Sequence, residues 1–172
     1  LNEKHHIERE LIIEMKPFRP VRTAVIGCGM ISDVYLSNLT KRYNAVEVVG
    51  VSDIKPERSA AKAEKYGVRQ MTNEEIWNDP TIELVVNLTY HTSHYEVSKN
   101  SLLAGKHVYG EKMMAVELDE GLDLIETAKR LGLYCCGAPD TYLGAGLQTA
   151  RQIYDSGILG SAVAANITLV RG

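Results

Sequence analysis

The sequence is poor in the residues that would staple it covalently or hold it in lipid. Its three cysteines, Cys28, Cys135 and Cys136, are odd in number and two of them are adjacent. That is a poor disulfide framework and suits a reducing cytoplasm. No apolar run is long enough to cross a bilayer, and the N-terminus lacks a signal-peptide pattern. No membrane partner is therefore expected. Neither sign of charge dominates: 19 Lys and Arg stand against 22 Asp and Glu, for a formal net charge of -3. Such a balance offers no electrostatic footprint for nucleic acid. No cluster of Cys and His has metal-ligand spacing, so no metal is expected.

What remains is an ordinary globular composition. The chain has 172 residues, 45% hydrophobic and 24% charged, enough for one domain with a sizeable core. Its organising stretch is Arg22-Thr23-Ala24-Val25-Ile26-Gly27-Cys28-Gly29-Met30-Ile31-Ser32. An apolar, β-branched run stops at one glycine, meets a second, and passes into a helix-compatible segment through Leu36 and Leu39. The pattern predicts a strand, a tight turn and a helix N-terminus. Gly27 lets the chain reverse, and Gly29 lacks a Cβ, so a pyrophosphate can approach the backbone. The unsatisfied N–H groups and positive dipole end of the helix then face that anion. The third position of the dinucleotide fingerprint is Ser32 rather than glycine. Cys28 lies in the same turn. It is either a thiol activated by the helix start or a small residue that fits a tight loop.

A second apolar strand, Glu47 to Asp53, ends in an acid about twenty residues past the turn, where a carboxylate can hold the ribose hydroxyls of an adenosine. Asp53 could equally cap the helix that opens near Pro56. That helix has a small apolar face and ends at Gly67. An extended piece, Val68 to Met71, leads to Thr72-Asn73-Glu74-Glu75, which reads as a capping box. Leu84 to Leu88 suits a strand buried on both faces. Thr89 to His94 follows at its carboxyl end and opens a helix closed by Gly105. His107 to Tyr109 is the next strand, with Glu111 and Lys112 leaving it. Leu118, Leu122, Ile125, Ala128 and Leu131 keep helical spacing and predict a core-packed helix. Leu133 to Gly137 is a sixth strand, Tyr142 to Asp155 a helix, and Ala162 to Val170 a β-rich segment. Asp140 and Tyr142 could line a crevice or serve as a turn-former and a packing ring.

Alternating strands and helices with short links predict an α/β, doubly wound parallel sheet. Right-handed crossovers would gather the Gly-rich turn, Asp53, Thr89 to His94 and Glu111-Lys112 on one edge. Residues 1–20 stand outside this pattern as an N-terminal extension, with His5-His6 read as solvated surface and Met15 as a sensible natural start.

Gly27-Cys28-Gly29-Met30-Ile31-Ser32, Val51-Ser52-Asp53 and Ala104-Gly105-Lys106-His107-Val108-Tyr109-Gly110-Glu111-Lys112 together resemble the N-terminal half of the Gfo/Idh/MocA oxidoreductases. The lysine motif is the specific part. The resemblance implies an NAD(P)-binding Rossmann domain over 21–138, with 139–172 as a linking helix and the first strand of a truncated C-terminal α/β domain, so that the second domain is largely absent. It implies that Gly27, Cys28, Gly29, Met30 and Ile31 wrap the pyrophosphate, and that Asp53 favours NAD over NADP. Thr89 and His94 would border the nicotinamide half, and Glu111 its ribose. Lys112, as the catalytic residue, would reach the cofactor and the substrate hydroxyl that loses its proton. For Lys112 the bland reading is a solvated surface lysine, and for His94 a polar helix-start residue. The implied activity is hydride transfer between nicotinamide and a sugar, cyclitol or related polyol, in a cytoplasmic homo-oligomer. Two alternatives are a nucleotide-binding module without turnover, because the substrate domain is missing, and a methyltransferase, which would not need Glu111-Lys112. Two departures stand out: Met113 where the family has proline after its lysine, and Tyr90-His91 where it often has proline. The segment 162–170 is expected to pair with another chain or to be poorly ordered.

Overall fold

The computed structural model describes residues 18–138, 140–168 and 170. The readings made on residues 1–17, including His5-His6 and Met15, lie outside the described residues. The chain divides into two units, one ending at Gly137 and the other beginning at Ala138.

The first unit is a six-stranded sheet. Its strands are β1 (Val21–Ile26), β2 (Val46–Ser52), β3 (Arg69–Gln70), β4 (Leu84–Asn87), β5 (His107–Gly110) and β6 (Cys135–Gly137). They lie in the order β3-β2-β1-β4-β5-β6, and every pairing is parallel. The helices between them are α1 (Ser32–Lys41), α2 (Pro56–Tyr66), α3 (Asn73–Asn78), α4 (His91–Leu103) and α5 (Leu118–Leu131). Parallel neighbours need crossovers, and the crossovers here cover both faces of the sheet. Ala24, Ile26, Val49 and Val85 are buried on one face with Met71, Ile76 and Val97. Val25, Val51 and Val86 are buried on the other with Leu36 and Ala63. Burying each Val, Leu, Ile or Met among these contributes about 1.5–3 kcal/mol, so the central strands dominate the stability.

Local chemistry sets the element ends. Thr72 accepts from the Glu75 amide at 3.1 Å while Glu75 accepts from the Thr72 amide at 2.7 Å, the reciprocal cap the sequence announced. Pro56 sits in the first turn of α2 and Gly67 ends it at φ 67°. Within β2, a Cβ on Gly50 would lie 2.3 Å from Met71 Sδ, so the glycine makes room for the side chain that crosses it.

One expectation needs correction. The α5 residues Leu118, Leu122 and Ile125 are 76%, 54% and 51% exposed, whereas Leu124, Thr127 and Ala128 are buried. The helix docks on the face carrying Leu124 and Ala128, against Leu102 and Val108. The stripe read from periodicity meets this face only at Ala128. Residues 162–168 take no strand pairing and are exposed; β-branched residues alone do not make a strand without a neighbour's hydrogen-bond ladder. The second unit holds a 3₁₀ turn, Asp140–Leu143, and α6 (Ala145–Asp155). No described helix is long and apolar enough to cross a membrane.

Candidate functional site

Register places the site. Ile26 pairs with Ser52 on one side and Asn87 on the other, and Asn87 pairs with Gly110. These four residues form one row across the sheet. The residues that follow them, Gly27, Asp53, Leu88 and Glu111, therefore leave the same edge, and the predicted convergence of the turn, Asp53, Thr89 and Glu111-Lys112 is what the backbone shows.

Gly27 adopts φ 104°, and a Cβ there would stand 2.4 Å from the Leu88 carbonyl carbon and 2.6 Å from the Thr89 nitrogen. Only glycine lets the turn pass so close to the end of β4. Gly29 differs: nothing lies within 4 Å of a Cβ built on it. Above it is open space. The amides of Gly29, Met30 and Ile31 donate to no acceptor among the described residues. Ser32 is fully buried, and its hydroxyl donates to the Gly29 carbonyl at 2.6 Å, drawing the start of α1 against the turn. Serine thus does by a hydrogen bond what a third glycine would do by smallness. Open amides at a helix start beside a Cβ-free residue form a cradle that fits a pyrophosphate.

Cys28 is buried, and its thiol is pushed up to about 12 by desolvation and then by the nearby Asp53 charge. A buried, protonated thiol fits the small residue of a tight loop better than an activated nucleophile. The Cys28 amide donates to Asp53 Oδ2 at 2.7 Å, and the Lys55 amide donates to Asp53 Oδ1 at 2.8 Å. Asp53 therefore both ties the turn to β2 and supports the entry to α2. Each oxygen keeps a lone pair for a further donor.

Asn87 is fully buried at the end of β4 and uses all its side-chain capacity. Its Oδ1 accepts from the Thr89 amide (3.2 Å) and hydroxyl (2.7 Å), and its Nδ2 donates to the His94 carbonyl (3.1 Å) and the Ser98 hydroxyl (3.0 Å). This Asx turn shapes the loop that leaves β4. His94 is only 2% exposed. Its Nδ1 faces the Met113 carbonyl and its Nε2 lies 2.9 Å from the Thr89 carbonyl. The ring is thus a brace between the loops after β4 and β5, not a polar group left at a helix start.

Glu111 is anchored from three directions. Its amide donates to the Asn87 carbonyl (2.9 Å), Oε1 accepts from the Tyr35 hydroxyl (2.6 Å), and Oε2 accepts from the Lys112 amide (3.1 Å). The Lys112–Met113 peptide bond is cis. The Lys112 side chain is exposed, and its ammonium makes no ion pair or hydrogen bond among the described residues. By contrast, Lys62 and Lys65 are both committed to Asp33, and Lys99 to Asp123. Tyr35, Asn87 and Ser98 escaped the reading of the sequence. An asparagine inside the buried run Leu84 to Leu88 was a usable signal; Tyr35 gave none, since its partner is 76 residues away. Among the described residues no group of three His, Cys, Asp or Glu side chains could hold a metal ion.

Residues 21–137 match the family described as an oxidoreductase family with an NAD-binding Rossmann fold. The chain belongs to the Gfo/Idh/MocA family. Among curated members, it is 32% identical over 114 residues to the inositol 2-dehydrogenase/D-chiro-inositol 3-dehydrogenase of Lactiplantibacillus plantarum, covering 64% of this chain and 33% of that protein. It is 33% identical over 120 residues to the D-glucoside 3-dehydrogenase of Escherichia coli, covering 66% and 33% respectively. Among solved structures, the WlbA dehydrogenase of Bordetella pertussis, in complex with NADH and UDP-GlcNAcA, superposes with a TM-score of 0.78 at 23% identity, over 83% of this chain and 44% of that one. The chain thus spans less than half the length of these Gfo/Idh/MocA proteins.

Proposed function

We propose that this chain is the dinucleotide-binding part of a Gfo/Idh/MocA-type oxidoreductase that moves hydride between nicotinamide and a hydroxyl of a sugar, cyclitol or related polyol. The observation that carries the reading is the row of strand ends. It puts three open amides over Gly29, a carboxylate on the next strand and a free ammonium two strands the other way, all on one edge of the sheet. Residues 21–138 are the dinucleotide-binding domain in this reading, and 139–172 begin a second domain. The printed activities of the inositol and glucoside dehydrogenases support the substrate class.

In this assignment the amides of Gly29, Met30 and Ile31 hold the pyrophosphate, with Gly27 and Cys28 shaping the turn beneath it. Asp53 accepts from the adenosine ribose, and its charge disfavours a 2′-phosphate, so NAD is preferred over NADP. Thr89 borders the nicotinamide half, with His94 bracing the loop beneath it, and Glu111 accepts from the second ribose. The bound cofactor supplies the hydride acceptor. Lys112 stabilises the alkoxide that forms as the substrate hydroxyl loses its proton, and takes or shares that proton. Three free cysteines suit a reducing cytoplasm, and the exposed apolar side chains on α5 and α6 suit a homo-oligomer.

Calorimetric titrations test the reading, with NADH, NADPH and S-adenosylmethionine as ligands of the wild-type chain. NADH binding is expected; binding of S-adenosylmethionine alone overturns it. Asp53→Ala should lower NADH affinity and raise that of NADPH. Loss of the tie to Cys28 would lower both, so the ratio isolates the ribose contact. An NADH-binding chain that oxidises no polyol would favour the module without turnover.

A further inference from the structure

We propose that Tyr35 is a positioning residue: through its hydroxyl, α1 fixes the carboxylate of Glu111 and with it the loop that carries Lys112. The inference rests on the dinucleotide reading above and adds a residue and a coupling to it. The same helix would then do two things. Its first amides form the anion cradle, and one turn later its tyrosine sets the opposite end of the ligand.

The geometry supports this at each link. Tyr35 lies three residues after Ser32, the first residue of α1. Its hydroxyl donates to Glu111 Oε1 at 2.6 Å, the length of a charge-assisted O–H···O⁻ bond. Among the described residues the remaining hydrogen bonds of Glu111 are backbone ones, to the Asn87 carbonyl and from the Lys112 amide. Tyr35 is therefore the side chain that fixes which way the half-buried carboxylate points. A carboxylate offers about four acceptor positions. Two are used by Tyr35 and Lys112, and the rest remain for hydroxyl donors of a bound ribose. Beyond Lys112, His94 holds the Met113 carbonyl from α4. The three-residue segment is gripped at Glu111 from one helix and at Met113 from another, leaving the Lys112 side chain between the grips. Removing the Tyr35 hydroxyl loosens the first grip and leaves the ring's packing in place.

The test uses the full chain with Tyr35→Phe, Glu111→Gln and the double variant. Backbone amide exchange of residues 111–113 is measured without ligand, and affinities are measured for NADH and for ADP, which lacks the nicotinamide half. Tyr35→Phe should speed exchange at Glu111 and Lys112. It should weaken NADH roughly three- to tenfold, as expected for one hydrogen bond to a charged group acting partly through another. ADP affinity should stay within about twofold, because the cradle is untouched. In the Glu111→Gln background the same change should add little. Equal losses for NADH and ADP would mark a merely structural tyrosine and overturn the proposal, as would unchanged exchange and unchanged NADH affinity. Should Tyr35→Phe fold poorly, ligand-free amide exchange of residues 111–113 in Glu111→Gln reads the same bond from its other end; unchanged exchange there overturns the proposal. A wild-type chain that binds no NADH overturns the dinucleotide reading itself, which is seen before any variant is made.

Discussion

At the scale of single residues, the two glycines of the turn make opposite demands and can be told apart. Gly27 has a backbone conformation that L side chains rarely adopt and no room for a Cβ. Gly27→Ala is expected to cost about 2 kcal/mol or more in a denaturant melt. Gly29→Ala meets no neighbour, so its melt should match the wild type while NADH affinity falls at least about tenfold, the methyl now standing where phosphate oxygens need to come. Equal melts for both variants would contradict the turn as described. Cys28 and Cys136 differ as sharply. Burial holds the Cys28 thiol protonated, whereas Cys136 is exposed. Alkylation at pH 8, followed by peptide mass spectrometry, should label Cys136 well before Cys28.

At the scale of elements, the pattern of glycines, caps and apolar runs was enough to read the strands and helices of the first unit, because each signal acts over a few residues. Thr72 and Glu75 sit one turn apart, and Gly67 and Gly132 take the positive φ that closes a helix. The docking face of α5 was misread for a physical reason. Leu118, Leu122 and Ile125 have the same spacing as a buried stripe, and only the partner surface decides which stripe is covered. Likewise Asp53, His94, Glu111 and Lys112 could be picked from strand ends, but Asn87 and Tyr35 work through contacts that only the folded register creates. The contact between α1 and α2 carries a pH prediction. The Asp33 carboxylate is held by Lys62, Lys65 and the Tyr66 hydroxyl, which bring its pKa well below the usual carboxylate range. A depressed folded pKa gives stability that is fully present above the unfolded value of about 3.9 and is lost as pH falls through the folded one. The melting temperature of wild type should exceed that of Asp33→Asn at neutral pH by no more than roughly 2–4 °C, since the group is part-exposed and screened. The gap should close in thermal melts as the pH is taken below about 4.

At the scale of the whole molecule, an apolar stripe on α5 and an α6 that buries none of its residues leave much hydrophobic surface in water. The 172-residue chain is expected to self-associate, with sedimentation at rising concentration showing masses above that of one chain. Leu122→Lys together with Ile125→Glu should shift that equilibrium towards the monomer without lowering the melting temperature, because both side chains are already more than half exposed. The rims of the sheet point to the form such association takes. β3 contributes two residues and β6 three, so neither border offers the long row of unpaired peptide groups on which a foreign strand could grow. Copies that cluster through greasy side chains would dissolve again on dilution or with mild detergent and leave an amyloid dye dark.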